Sequence, residues 1–316
     1  MKPFAFIFPG QGSQSVGMLD AWGDHAVVRQ TLQEASDALG EDLAQLIHEG
    51  PKEALALTTN TQPVMLVAGV AAYRVWMAEV GVAPQAVAGH SLGEYAALVA
   101  AGSLTLAQAA PLVRLRAQAM QDAVPVGVGA MAAILGMDAL RVAALCAEVT
   151  QEFGAASAEV VEAANFNDPS QTVISGSKAA VDRACEVLKA NGAKRALPLA
   201  VSAPFHSSLM KPAADKLRDK LASLSLAAPQ IPVINNIDVA VETDPDRIRD
   251  ALYRQAFGPV RWVECVRAIQ ARGIDTLVEC GPGKLLAGMT KRIDAQLTGA
   301  ALFDPATLAE VKGLLA

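Results

Sequence analysis

At 316 residues the chain exceeds the usual size of one hydrophobic core, so a large domain with a smaller second unit, or two domains, is expected. Hydrophobic residues make up 52% of it and aromatics only 4%, which argues against disorder and suits a helix-rich α/β protein better than a β-sandwich. The formal charge of -6 offers no overall field to nucleic acid or anionic lipid, so an acidic partner would have to meet a local basic patch. Cys146, Cys185, Cys265 and Cys280 are widely spaced and lack neighbouring histidines, so neither a disulfide framework nor a metal site is suggested. The N-terminal apolar run is too short for a signal-peptide core, and no later stretch is long and uncharged enough to cross a bilayer. A cytoplasmic protein is expected.

In chain order, Phe4 to Phe8 reads as a buried strand that runs into the tight loop Pro9-Gly10-Gln11-Gly12. Residues 27–48 and 62–79 carry helical spacing. Gln85 to Gly89 is a short strand that stops at His90 and Ser91, and Gly93 to Ala101 is helical again. From about 128 to 200 the order becomes strand (Met131 to Leu135), helix (Asp138 to Phe153), strand (Val160 to Asn165), strand (Thr172 to Ser175), helix (Lys178 to Ala190), strand (Arg195 to Val201). This βαββαβ order predicts a small ferredoxin-like subdomain over 128–201, inserted into a large catalytic α/β subdomain made of 1–127 and 202–316. Beyond it come a basic helix over 208–223, a strand from Val233 to Ile237, a helix from Asp246 to Phe257, and a strand from Thr276 to Glu279 that ends in Gly281-Pro282-Gly283-Lys284. The residues after Asp294 read as a surface helix with little chemical role.

The chemistry rests on one serine and one histidine. Gly89-His90-Ser91-Leu92-Gly93 fits Gly-x-Ser-x-Gly with a strand before it and a helix after it, the setting of a nucleophile elbow. Such a turn lifts the serine oxygen to the positive end of a helix. The serine needs a base, and four histidines are available. His25 and His48 stand in polar segments and read as solvated, while His90 should point away from the attack direction and pack against the elbow. His206 remains, in a loop just after a predicted strand. An acid between Ser91 and His206 would complete the hydrolase order, but Asp122, Asp138, Asp168 and Asp182 all fall in or beside the insertion. A dyad is therefore favoured, its imidazole held by a backbone carbonyl or an amide side chain.

These residues and several further motifs carry a resemblance. Gly10-Gln11-Gly12-Ser13-Gln14, the elbow with Glu94-Tyr95, Arg114-Leu115-Arg116, Asn165-Phe166-Asn167, Phe205-His206-Ser207 and Gly281-Pro282-Gly283-Lys284 resemble the malonyl-CoA:acyl carrier protein transacylases of bacterial fatty-acid synthesis. The match spans nearly the whole chain and implies an α/β-hydrolase-like domain, with a parallel central sheet and a ferredoxin-like insertion. It implies Ser91 as the acylated nucleophile, His206 as general acid and base, and the backbone amides of Gln11 and Leu92 as the oxyanion hole. Arg116 would bind the substrate carboxylate, the backbone carbonyl of Gln255 would support the histidine, and Asn167 would line the cleft. The expected partners are malonyl-CoA and acyl carrier protein, with no permanently bound cofactor, no metal, no nucleic acid, no membrane, and a monomeric state.

Other readings stay open on sequence grounds. An esterase or thioesterase shares the elbow, an acyltransferase could select another group such as methylmalonyl, and a carrier-binding module would need neither Ser91 nor His206. Arg114 and Arg116, two residues apart on a helix, lie on different faces, so one should reach Ser91 and the other should be solvated. Lys211, Lys216, Arg218 and Lys220 are candidates for carrier docking, or else a solvated face paired with Asp215 and Asp219.

Overall fold

The computed structural model describes residues 1–154 and 156–316. Among these residues nine strands occur: β1 (Phe4–Phe8), β2 (Ala86–Gly89), β3 (Gly129–Leu135), β4 (Val161–Asp168), β5 (Gln171–Ser177), β6 (Arg195–Pro198), β7 (Val233–Ile234), β8 (Thr276–Cys280) and β9 (Thr298–Leu302). Five of them form a sheet in the order β7-β2-β1-β8-β9, with every neighbouring pair parallel.

The alternation within β1 sets the two faces of this sheet. Phe4 and Phe6 turn toward the helix Thr58–Glu79 and meet Trp76 edge-on at 5.4 and 5.6 Å between ring centroids. Ala5 and Ile7 face the other way with Ala86 and Ala88, where small side chains admit Trp262, Cys265 and Val266 of the helix Trp262–Gln270. The sheet is thus covered on both sides, and its reactive edge is the one where the strands end. No helix among the described residues is long and apolar enough to cross a membrane.

The other four strands form a separate antiparallel sheet in the order β4-β5-β3-β6. In the chain they alternate with the helices Ala139–Glu152 and Lys178–Ala190 as βαββαβ. Ala132, Ile134, Val161 and Ile174 pack against Val142, Leu145, Val181 and Leu188 of those helices. The opposite face turns Met131, Ala133 and Val173 into the main core. Strand β4 is tied to the segment just before the helix Trp262–Gln270 by backbone bonds from Phe166 N–H to Val260 O (2.9 Å) and from Val260 N–H to Ala164 O (2.8 Å). A half-exposed Arg292 also donates to the buried Asp168, 2.8 Å from Nε to Oδ2.

Three sequence expectations need correction. The helix expected over 27–48 breaks at Gly40, whose φ of +67° is left-handed, into Ala26–Leu39 and a second helix Leu43–Glu49 capped by Asp42. The strand expected to reach Ile237 pairs only at Val233–Ile234, and Asn235 and Asn236 leave the ladder. After Asp294 the chain is not simply a surface helix. Thr298–Leu302 joins the main sheet as edge strand β9, and only Pro305–Leu315 is helical. Gly299 is required there because a Cβ would sit 2.3 Å from Ala287 O.

Candidate active site

The elbow follows from two glycines and one amide. A Cβ on Gly89 would lie 1.9 Å from the Gly93 carbonyl carbon, and one on Gly93 would lie 2.1 Å from Phe8 O. The chain can therefore fold back so tightly only with glycine at both places. Ser91 sits between them at φ +54°, a conformation that costs energy for any non-glycine residue and must be held. Asn236 holds it. Its Nδ2 donates to Gly89 O and its Oδ1 accepts from Ser91 N–H, both at 2.7 Å. Leu92 is buried at the start of the helix Gly93–Ala100.

His206 lies in the loop after β6, also with a left-handed φ of +60°. Its Nε2 is 2.6 Å from Ser91 Oγ. On the other side of the ring, Nδ1 is 2.9 Å from Gln255 O and 3.2 Å from Gly258 O. Both carbonyls only accept, so Nδ1 carries the hydrogen and Nε2 is left to accept from the serine hydroxyl. Burial, reinforced by the nearby Arg116 charge, pushes the imidazole down to about 3, so it stays neutral at ordinary pH. The four aspartates between Ser91 and His206 are engaged elsewhere. Asp122 accepts from Gln118, Asp138 caps its helix, Asp168 meets Arg292 and Asp182 meets Lys178.

Arg116 is buried beside the pair. Its Nη2 is 3.2 Å from Ser91 Oγ and 3.2 Å from Gln255 Oε1, and its Nη1 donates to Gln62 Oε1 at 2.7 Å. Its Nε is buried without a partner among the described residues, and the guanidinium lies 5.5 Å from the centre of the Tyr95 ring. Arg114 does point elsewhere, but it is not solvated as expected. It binds Thr59 O, Asn60 Oδ1 and Glu41. The reason is Pro63, which sits inside the helix Thr58–Glu79 and has no N–H for the Thr59 carbonyl four residues back; Arg114 fills that position.

Gln62 and Asn236 belong to the site and were not singled out from sequence, and Glu94 was named only within the elbow motif, without a role. The Gln255 side chain was likewise unforeseen: its Nε2 donates to Ser91 O (2.9 Å) and to Glu94 Oε2 (3.1 Å). One signal was available, a lone carboxylate in the otherwise apolar run Gly93 to Ala100.

A cleft of about 680 Å³ opens between the ends of the parallel strands and the antiparallel sheet. Gln11 and His90 line one wall, and Asn165, Asn167 and Val173 line the other. The Gln11 side chain donates to Thr58 Oγ1 and accepts from Gln62, both at 3.2 Å. His90 Nε2 is 2.8 Å from Asn167 Oδ1 and its ring packs on Trp262, so it faces the cleft rather than the Ser91 hydroxyl. His48 is exposed beside Asp20, whereas His25 is half-buried against Trp22 and so departs from the solvated reading.

A serine on a strained strand-to-helix turn, with a neutral imidazole against its oxygen and a buried guanidinium alongside, has the parts for acyl transfer involving an acidic acyl group. Comparisons with known proteins point the same way. The sequence model of the acyl transferase domain matches residues 5–303. A malonyl CoA-acyl carrier protein transacylase of Escherichia coli (strain K12) is 53% identical over 310 residues, which is 98% of each chain. The crystal structure of an acyl-carrier-protein S-malonyltransferase from Burkholderia pseudomallei 1710b has 64% sequence identity and a TM-score of 0.94, covering 98% of this chain and 99% of that one. A malonyl-transacylase solved in complex with its type II PKS acyl-carrier protein has 51% identity and a TM-score of 0.94, covering 98% of both chains. The chain belongs to the acyl transferase family and, within it, to the malonyl CoA-acyl carrier protein transacylases.

Proposed function

We propose that this acyltransferase moves a malonyl group from malonyl-CoA to the phosphopantetheine thiol of an acyl carrier protein for fatty-acid synthesis, by a ping-pong route through malonyl-Ser91. The observation that carries this reading is the 2.6 Å contact between Ser91 Oγ and His206 Nε2 beside the buried Arg116. In the first half-reaction His206 Nε2 takes the Ser91 proton as Oγ attacks the thioester carbonyl, and it returns that proton to the departing coenzyme A sulfur. In the second, the carrier thiol gives its proton to His206, attacks the acyl-serine and releases Ser91 with its proton restored. The backbone amides of Gln11 and Leu92 stabilise the tetrahedral oxyanion. Arg116 receives the malonyl carboxylate, with its unpartnered Nε as spare donor capacity. Gln255 orients the imidazole through its carbonyl, and Asn167 shapes the cleft wall.

The same proposal assigns 1–127 and 202–316 to a hydrolase-like catalytic unit and 128–201 to a ferredoxin-like insertion, which the order β4-β5-β3-β6 supports. It includes action as a cytoplasmic monomer with no bound cofactor. It also places carrier docking on the helix Lys211–Ala222. Lys211 and Arg218 both contact Asp215 and lie over the Tyr253 ring, whereas Lys216 and Lys220 make no ion pair among the described residues.

The test is incubation with labelled malonyl-CoA, with and without carrier protein. Stable label on Ser91 that passes to the carrier is expected. Rapid loss of label to water without carrier would identify a hydrolase and overturn the reading.

A further inference from the structure

Glu94 is a carboxylate that the mechanism above does not use, yet it is almost fully buried one helical turn from Ser91. Its Oε2 accepts from Asn236 N–H at 2.9 Å and from Gln255 Nε2 at 3.1 Å. The other end of the same amide, Gln255 Oε1, accepts from Arg116 Nη2 at 3.2 Å. Arg116 makes no ion pair within 4 Å among the described residues, so one amide joins two buried opposite charges that do not touch. The remaining ionisable neighbours are Asp238, already paired with Arg254, the Tyr95 hydroxyl, the buried Cys265 thiol, Glu242, and the His206 imidazole beside Arg116. Behind Glu94 lies a void of about 10 Å³ bordered by Glu242 and by Asn235, whose Nδ2 is buried and unpartnered. That is room for about one water, beside these polar groups and the apolar Leu98, Val233, Ile248 and Ala251.

We propose that Glu94 is the counter-charge of Arg116 before substrate binds, linked to it through Gln255, and that an acyl carboxylate arriving on Arg116 draws a proton from solvent onto Glu94. The inference rests on the reading of Arg116 as the carboxylate receptor. Two buried carboxylates would then compete for one guanidinium, and a net buried negative charge is costly. Burial already raises the Glu94 carboxyl to about 7, so a second anion nearby has only to move it further for the proton to bind. One O–H bond forms on Glu94 as one bond to hydrogen breaks in the solvent or buffer acid that gives the proton, and no bond of the thioester changes.

Calorimetric titration of the Ser91→Ala protein, which binds without turnover, tests this in two buffers of different ionisation enthalpy near about pH 7.5. Acetyl-CoA is the control because it shares the coenzyme but lacks the acyl carboxylate. Malonyl-CoA is expected to take up about half a proton more than acetyl-CoA. The excess should vanish in Ser91→Ala/Glu94→Gln while malonyl-CoA still binds. Equal uptake for the two thioesters, or an excess that survives Glu94→Gln, overturns the inference. Should Glu94→Gln fail to fold, equal uptake of the two thioesters by the Ser91→Ala protein still overturns the inference. Adding Arg116→Ala to Ser91→Ala separates the two claims. Loss of malonyl-CoA affinity there with equal uptake in Ser91→Ala sinks only the Glu94 inference, whereas unchanged affinity sinks the Arg116 reading itself.

Discussion

Ser91 and His206 share one proton, and each should fail in its own way when removed. Ser91→Ala is expected to form no acyl-enzyme with labelled malonyl-CoA, while His206→Ala slows acylation by about two to four powers of ten, the scale of lost acid-base help. The imidazole also predicts a pH effect on stability. In the folded protein it titrates at about 3, and in the unfolded chain near its ordinary value of 6.5. Between those values the unfolded state binds the extra proton, so this contribution to stability is intact above about pH 6.5 and declines as pH falls toward 3. Thermal melts of His206→Gln should show a shallower acid dependence across that window; an unchanged slope would count against the burial argument. Arg116→Ala should lower malonyl transfer by roughly two to four powers of ten, as when a buried charge loses its partner, and leave acetyl transfer little changed. Arg114→Ala should instead lower the melting temperature and spare acyl preference, since Arg114 serves the Thr59 carbonyl. Ser91 and His206 were legible because an elbow is a five-residue pattern and few histidines compete. Asn236, Gln62 and the role of Glu94 were not, because their partners lie far away along the chain and meet only through the topology.

At the scale of elements, the elbow is the least forgiving turn. Gly93→Ala must push a methyl group into the backbone of β1 at Phe8 O, with no flexible side chain to yield. A loss of about 3 kcal/mol or more in chemical denaturation is expected, together with loss of Ser91 labelling. Retention of both would mean that the turn relaxes in a way its contacts do not suggest. Elements with strong local grammar were legible, as with the all-buried β1 and the helices of the antiparallel unit. Those defined by neighbours were not. Thr298-Gly299-Ala300-Ala301-Leu302 has neither aromatic residues nor alternation, and it becomes a strand because β8 offers an open edge. Gly40 was readable as a helix stop but was overrun by apolar spacing on both sides.

For the whole molecule, the cleft exists only while the antiparallel unit stays docked on the parallel one, and Asp168 is the buried half of one tie, to Arg292 of the helix Leu285–Ile293. Arg292→Ala strands that carboxylate, although Ser170 still donates to it and Arg292 is itself half-exposed. A loss of about 1 to 3 kcal/mol in denaturation midpoint is expected, with the acylated fraction of Ser91 unchanged at saturating malonyl-CoA. The parallel sheet has a further consequence for how the chain comes to be folded. Its central strand β1 is made first, but its partner β8 begins only at Thr276 and β9 at Thr298. During synthesis the first strand therefore waits, with one edge unpaired, for nearly the whole chain to emerge. The antiparallel strands close within residues 129–198 and have no such delay. Early amide protection in that stretch, ahead of β1 and β8, is expected in pulse-labelled refolding, and the waiting edge of β1 is where a nascent chain would be most open to mispairing and to capture by a chaperone.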